Sequence, residues 1–424
     1  MNFFTKIITL GAVVAASTAA ADPFCAALMD KDQLPKKYAK RGPFYADAQS
    51  GWIVGADQLK GKYEVTEEVS TLWQAINAEF AERGVTLSVL AAPPRPLFAP
   101  SVALPESYDP AADRAAFSAY TEELNAAGIV APDLTQVVES VSSSDFYFKR
   151  DTHWTPTGAY MSAKFLAGSL GVNEPIAADV SFDATYNEKG SLSAVVEKVC
   201  GTRPVRETVA SPSYAKSVGA DALLGNTSAP SLALVGTSFS DRYKTDSYQV
   251  AGALAHVFGE EVQNFSASGG GMVGAMEAFI LSGALKTGDF KTVVWETPYT
   301  TPLTNVSGLR QVLGALQAPE TRENIYSGAI GDDWQSAKYE IASDSDVSLQ
   351  FTTPRVKTGK LSVELYSTTG EKLRIKLVKS ERIDPALQSN VWRLSLAALP
   401  FKVVNRIKFK LDQTVAGAEI ALLN

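Results

Sequence analysis

A chain of 424 residues, 46% hydrophobic and 20% charged, has the composition of a globular protein and the length for two domains. Its formal net charge of −7 argues against non-specific nucleic-acid binding, which needs a basic surface. Two histidines only, His153 and His256 in separate elements, exclude a zinc site built on two or three imidazoles.

The first 21 residues read as a Sec-type signal peptide. Lys6 supplies the positive start, Ile7 to Ala16 the apolar run, and Ala19-Ala20-Ala21 the small residues of a cleavage site before Asp22. An uncleaved anchor is the alternative, for which the run is short. The expected location is the periplasm. Removing residues 1–21, whose only charge is Lys6, takes the balance from −7 to −8. Beyond this segment no run is apolar enough for long enough to span a bilayer. Export also makes a bridge between the only two cysteines, Cys25 and Cys200, possible; two buried thiols are the alternative.

From about residue 45 helical and strand patterns alternate. Val65, Val69, Leu72, Trp73, Ile76 and Phe80 recur at helical spacing, with Gly84 as the stop. Val85 to Leu90 is a buried strand pattern ending in the turn at Pro93, Pro94 and Pro96. Asp109-Pro110 starts a helix that carries Phe117, Tyr120 and Leu124 and stops at Gly128; Thr155-Pro156 starts another. Leu232 to Val235 and Val293 to Trp295 are two more buried strands, so the region reads as a layered α/β fold on a parallel sheet. The period then becomes two: Leu361, Val363 and Leu365; Leu373, Ile375 and Leu377; Trp392, Leu394 and Leu396; Ile407, Phe409 and Leu411. That predicts an antiparallel β-sandwich. The expected division is 22–328 for the α/β domain and 329–424 for the sandwich.

Any mechanism that needs an imidazole must use one of the two histidines. His256 sits in a helix-like stretch and reads as structural. His153 lies two residues after Asp151, just before a helix cap, where the carboxylate can hold Nδ1–H and leave Nε2 free as a base. A buried histidine capped by a local aspartate would look the same. Downstream, the strand Leu232 to Val235 runs into Gly236-Thr237-Ser238-Phe239-Ser240. A serine just past a buried strand is where open α/β sheets place catalytic groups, and the next amide can face an oxyanion. Ser240 competes with Ser238 as nucleophile.

These pieces together resemble the periplasmic alginate O-acetyltransferases of the AlgX and AlgJ type. The resemblance rests on Asp151-Thr152-His153-Trp154-Thr155-Pro156 with Gly158 and on Ala233 to Ser238. It extends to Tyr248 before Ala251-Gly252, to Ser268-Gly269-Gly270-Gly271, to Trp295-Glu296, and to Cys25 and Cys200-Gly201 at the positions of the family's disulfide. It implies an SGNH-hydrolase-like three-layer domain followed by a carbohydrate-binding β-sandwich. It implies Ser238, His153 and Asp151 as a catalytic triad that moves acetyl groups onto an exported polysaccharide such as alginate, without cofactor or metal. The implied partners are the polysaccharide, a membrane protein that delivers acetyl groups, and other export proteins. A polysaccharide acetylesterase and a non-catalytic polysaccharide-binding scaffold are the alternative readings. The sequence departs from the family in the longer stretch from Ser238 to Tyr248, and no Gly-x-Asn-Asp block of ordinary SGNH esterases is present. The second oxyanion donor is therefore open, and Gly270 in the glycine loop is the candidate. Tyr248 and Tyr299 are candidates for the acceptor cleft or oxyanion support, and Arg242 for an anionic sugar. In the sandwich, Trp334, Tyr339 and Tyr366, and less so Trp392, are candidates for a glycan platform.

Overall fold

The structure is a computed structural model that describes residues 24–140, 145–172, 180–214, 229–317, 324–342, 348–353, 359–413 and 415–423. The expected signal peptide lies outside the described residues. In chain order the first domain holds a hairpin of β1 (Phe44–Asp47) and β2 (Trp52–Gly55), helix α1 (Glu67–Glu82), strand β3 (Thr86–Ala91), and helices α2 (Pro110–Ala126) and α3 (Pro156–Ser169). A second hairpin, β4 (Val180–Glu188) with β5 (Glu207–Tyr214), encloses α4 (Ser193–Cys200). Then come β6 (Leu232–Val235), α5 (Val250–Phe258), β7 (Val262–Asn264), α6 (Met272–Leu281), β8 (Thr292–Thr297) and α7 (Val306–Leu316).

The helix starts follow from their caps. Thr66, Asp109, Thr155 and Asn305 each accept a first-turn N–H with the side chain, and Pro110 and Pro156 fill first-turn positions whose N–H groups would have no helical partner. Strands β3, β8, β6 and β7 form one parallel sheet in that order. Side chains alternate across it. Leu87, Val89, Ala233, Val235, Val293 and Trp295 pack on one side with residues of α1, α2, α6 and α7. Leu90, Leu232, Leu234 and Val294 pack on the other with α3 and α5. This is a three-layer α/β domain, with both sheet faces covered as a parallel sheet requires. Among the described residues no helix is long and apolar enough to cross a membrane.

The sandwich consists of β9 (Asn324–Ala329), β10 (Gln335–Ala342), β11 (Ser348–Thr352), β12 (Gly359–Ser367), β13 (Lys372–Lys379), β14 (Val391–Ser395), β15 (Val403–Leu411) and β16 (Glu419–Leu423). They form two antiparallel sheets, β10-β15-β12-β13 and β14-β11-β16-β9, closed on a core that includes Leu361, Val363, Leu365, Trp392, Phe351 and Phe409. Helix α7 joins the two domains. Its buried Arg310 pairs with Glu68 of α1 at 2.7 Å and donates to the carbonyls of Ala397 and Ala398. Gln311 exchanges two 3.2 Å hydrogen bonds with the Val378 backbone.

Cys25 and Cys200 form a disulfide. It closes a loop with a sequence separation of 175, for which chain entropy assigns about 4–5 kcal/mol. The bridge ties Cys25 to the C-terminal end of α4, while just before the other end of that helix Leu192 N–H donates to Arg150 O at 3.0 Å, next to Asp151.

Candidate active site

Asp151 and His153 sit on a short loop that rigid contacts close and hold. Its ends meet as an antiparallel bridge between Tyr147 and Trp154, and Thr155 N–H donates to Phe146 O at 2.9 Å. Tyr147 Oη donates to Pro93 O at 2.6 Å. The fully buried Arg95 donates to the carbonyls of Ile53, Phe148 and Lys149, and Glu207 accepts the Lys149 and Arg150 amides at 2.8 and 3.2 Å. Trp154 Nε1–H donates to Phe239 O at 3.0 Å, which fastens this loop to the one bearing Ser238. Gly158 lets α3 begin against the loop: a Cβ there would lie 2.2 Å from Phe146 O.

Ser238 follows the C-terminal end of β6, in the middle of the sheet. Glu296, at the end of β8, accepts Thr237 N–H at 2.7 Å and hydrogen-bonds Thr237 Oγ1 at 3.0 Å. Gly236 permits this close approach, since a Cβ would lie 2.4 Å from Glu296 Oε2. The turn continues with Ser240 and Asp241 amides on Thr237 O, at 3.1 and 3.0 Å. The Ser238 amide has no acceptor among the described residues.

The three side chains meet in line. Ser238 Oγ lies 2.8 Å from His153 Nε2, and His153 Nδ1 is hydrogen-bonded to Asp151 Oδ1. Asp151 Oδ1 also accepts the His153 amide at 3.1 Å, and Oδ2 accepts the Ser191 amide at 2.5 Å. An ionised Asp151 is acceptor-only, so it holds the proton on Nδ1 and turns the Nε2 lone pair toward Ser238. Behind Asp151, Arg242 lies 3.7 Å from Oδ2, and both its terminal nitrogens lie 2.9 Å from Glu188 oxygens. Burial pushes the Asp151 carboxyl up, but His153, Arg242 and the Ser191 amide outweigh it and hold it well below the usual range.

Glu296 shows the opposite balance. Burial raises its carboxyl to about 7, although its hydrogen bonds with Thr237 favour the charged form. The folded protein therefore keeps a proton here that the unfolded chain has lost. The associated stability is full below the ordinary value of 4.5 and is lost as pH rises through about 7. Glu296→Gln keeps the shape and an acceptor for Thr237 N–H. It is expected to flatten the stability decline across that window by up to about 1.4 kcal/mol per pH unit, read by urea unfolding at a series of pH values.

The other candidates from the sequence fall differently. Ser240 is 1% exposed, and it is Ser238, not Ser240, that meets His153. Arg242 is 8% exposed and engaged with two carboxylates, so it stands behind Asp151 instead of meeting a sugar. Tyr248 is buried, with its ring 5.2 Å from His153 and its hydroxyl donating to Glu188 at 3.3 Å, so it supports the imidazole and lines no open cleft. Gly270 spends its amide on Ala267 O at 2.9 Å, and a Cβ there would lie 2.8 Å from Ile383, so the glycine loop packs against the sandwich region and this amide is no oxyanion donor. Tyr299 is buried beside Phe239, and its hydroxyl has no partner among the described residues. Trp392 is core. The side chain of Tyr339 lies outside the described residues. Sequence reasoning missed Glu188, the Ser191 amide and the bracing by Arg95. Each lies far from the triad in sequence, and nothing in the pattern around it signals the contact.

This three-layer parallel-sheet domain, with its serine at a strand end, is of the SGNH-hydrolase-like class. Residues 48–299 match the family model described as "SGNH hydrolase-like domain, acetyltransferase AlgX", and the chain belongs to that family. Alginate biosynthesis protein AlgX of Pseudomonas putida is 26% identical over 415 residues, covering 88% of this chain and 83% of the relative. The Pseudomonas fluorescens protein named "Probable alginate O-acetylase AlgJ" is 26% identical over 271 residues, covering 60% of this chain and 65% of its own. The solved structure of Pseudomonas aeruginosa AlgX superposes with a TM-score of 0.73 at 20% identity, over 94% of this chain and 98% of that one. The shared fold thus extends into the C-terminal sandwich.

Proposed function

We propose that the protein is a periplasmic O-acetyltransferase that acetylates an anionic exopolysaccharide such as alginate. The Ser238–His153–Asp151 hydrogen-bonded chain carries the reading. Ser238 Oγ attacks the acetyl carbonyl of a donor while His153 Nε2 takes its proton and passes it to the leaving group. The Ser238 oxygen then holds the acetyl as an ester. A sugar hydroxyl attacks that ester, His153 Nε2 takes the hydroxyl proton, and the proton returns to Ser238 Oγ as the acetylated sugar leaves. The Ser238 amide is one donor for the oxyanion. The donor is carried across the membrane by a partner protein, because acetyl-CoA has no ready periplasmic pool.

The sandwich supports an anionic acceptor. On the outer face of the β10-β15-β12-β13 sheet, strands β12, β13 and β15 present Lys360, Lys372, Arg374, Lys376, Arg406, Lys408 and Lys410 beside a single acidic residue, Glu364. Two of the platform aromatics lie among these cations. Tyr366 has the Arg406 guanidinium 4.1 Å from its ring centre, and Trp334 has the Lys410 ammonium at 5.2 Å. On a chain of net charge −7 this is a local reversal of sign suited to a polyanion, effective at close range despite screening.

The test offers the purified protein an activated acetyl ester with deacetylated mannuronate oligomers or neutral gluco-oligomers in parallel. Mannuronate is expected to gain acetyl groups in a Ser238-dependent way, read by mass spectrometry. Arg406→Glu with Lys408→Glu should weaken use of long mannuronate chains about tenfold or more, and less at high salt. Acetate release with no sugar product would make the protein an esterase.

A further inference from the structure

Four residues beyond Ser238 the backbone makes a closed two-residue turn. Arg242 N–H donates to Thr245 O at 2.9 Å, and Thr245 N–H returns to Arg242 O at 3.1 Å. The residues between, Tyr243 and Lys244, have φ of +56° and +62°. In this left-handed region a Cβ crowds the following carbonyl, and such turns favour Asn-Gly or Gly-Gly. Here a bulky aromatic and a long cation occupy both central positions. Neither belongs to a core. Tyr243 is 75% exposed, and Lys244 is exposed as well. Strain is held here where glycine would relieve it, by side chains that face solvent, and strain of this kind clusters at functional sites.

The turn is also braced from the triad. Arg242, 3.7 Å from Asp151, donates to Tyr243 Oη at 3.2 Å and lies 4.9 Å from the centre of its ring. Tyr248 flanks the same guanidinium at 5.5 Å and packs on His153 at 5.2 Å. A continuous layer therefore runs from the imidazole through Tyr248 and Arg242 to the exposed Tyr243 ring.

We propose that Tyr243 and Lys244 form an acceptor subsite for a uronate residue of the polysaccharide. The Tyr243 ring packs on the apolar face of the sugar, and the Lys244 ammonium pairs with the sugar carboxylate. The subsite rests on the reading of this chain as an acetyltransferase toward an anionic polysaccharide.

Tyr243→Gly in the full chain is the first test. Glycine relieves the left-handed strain, so Tm rises, while loss of the ring raises the KM for mannuronate oligomers about tenfold. The ratio of sugar acetylation to ester hydrolysis in the same assay falls by a similar factor. Tyr243→Phe keeps the ring and restores acceptor use to within about twofold of the parent. The second test needs no turnover. In the Ser238→Ala protein, nitration of Tyr243, followed by peptide mass spectrometry, slows several-fold with mannuronate oligomers and does not slow with gluco-oligomers. If the parent chain acetylates no sugar yet mannuronate shields Tyr243, the acetyltransferase reading falls and the subsite stands. An unchanged mannuronate KM in Tyr243→Gly, or equal shielding by neutral oligomers, overturns the subsite.

Discussion

Ser238→Ala is expected to lower kcat on a small acetyl ester by a factor on the order of 10⁴ to 10⁶ while leaving the unfolding transition in place. Ser238 Oγ is the hydroxyl set 2.8 Å from His153 Nε2. His153→Ala removes the group that activates it and should be as damaging. Asp151→Ala should cost less in rate, about 10⁴, because the imidazole loses its orientation but persists. Combining the substitutions should add little, since the three residues act as one unit. The cost of Ser238→Ala in stability is small, because its hydroxyl is partly solvent-facing and bonded only to the imidazole. Ser240→Ala should leave turnover within a few-fold of the parent: that side chain is buried, and the imidazole meets Ser238. Hydrolysis that survives in Ser238→Ala and disappears in Ser240→Ala would move the nucleophile.

The parts of this molecule legible in the sequence are those with a local cause. The strand patterns at 85–90, 232–235 and 293–295 stand in the structure as β3, β6 and β8, because an apolar run buried on both faces leaves little alternative. The helices after Asp109 and Thr155 begin where cap and proline coincide. Period two likewise marks β12, β13, β14 and β15. The hairpins β1–β2 and β4–β5 escaped notice. The pattern in β4 is mostly exposed and alternates poorly, so little in it separates a strand from a loop.

The site divides in the same way. Asp151 and His153 are two residues apart and could be paired on local grounds, while linking them to Ser238, 85 residues further on, needed the family pattern. What surrounds them is tertiary. Arg242 looked like a partner for an anionic sugar four residues past Ser238, and only the fold brings Glu188 of the β4 end against it. Tyr248 looked like a cleft residue, because an aromatic ring suits stacking on sugar and stacking on an imidazole equally. Gly270 looked like a donor because glycine amides are unshielded. Its neighbours Ala267 and Ile383 explain the glycine by packing instead.

Arg242→Met carries the second large expected effect. The guanidinium is the cation between two buried carboxylates, Asp151 at 0% and Glu188 at 3% exposure. Removing it leaves both facing each other without that charge, and breaking a buried pair from one side typically costs about 3–5 kcal/mol. Methionine fills much of the volume, so lost packing contributes little and the loss is electrostatic. The pH dependence separates this from a packing defect. Asp151 is held below its ordinary value of 3.8, so the stability it contributes is present above that value and is lost as pH falls through the lower folded value. Without Arg242 the carboxyl is less depressed and contributes less. The gap in unfolding free energy between parent and variant should therefore be widest near neutral pH and should shrink below about pH 4, as urea titrations across that range would show. Turnover should fall at least tenfold, since Asp151 then holds His153 less firmly, while the KM for a small ester changes little. Arg242→Lys restores the charge but not the reach to both carboxylates, and should recover part of each loss. A variant as stable at pH 7 as its parent, with unchanged kcat, would show that Asp151 is held by His153 and the Ser191 amide alone.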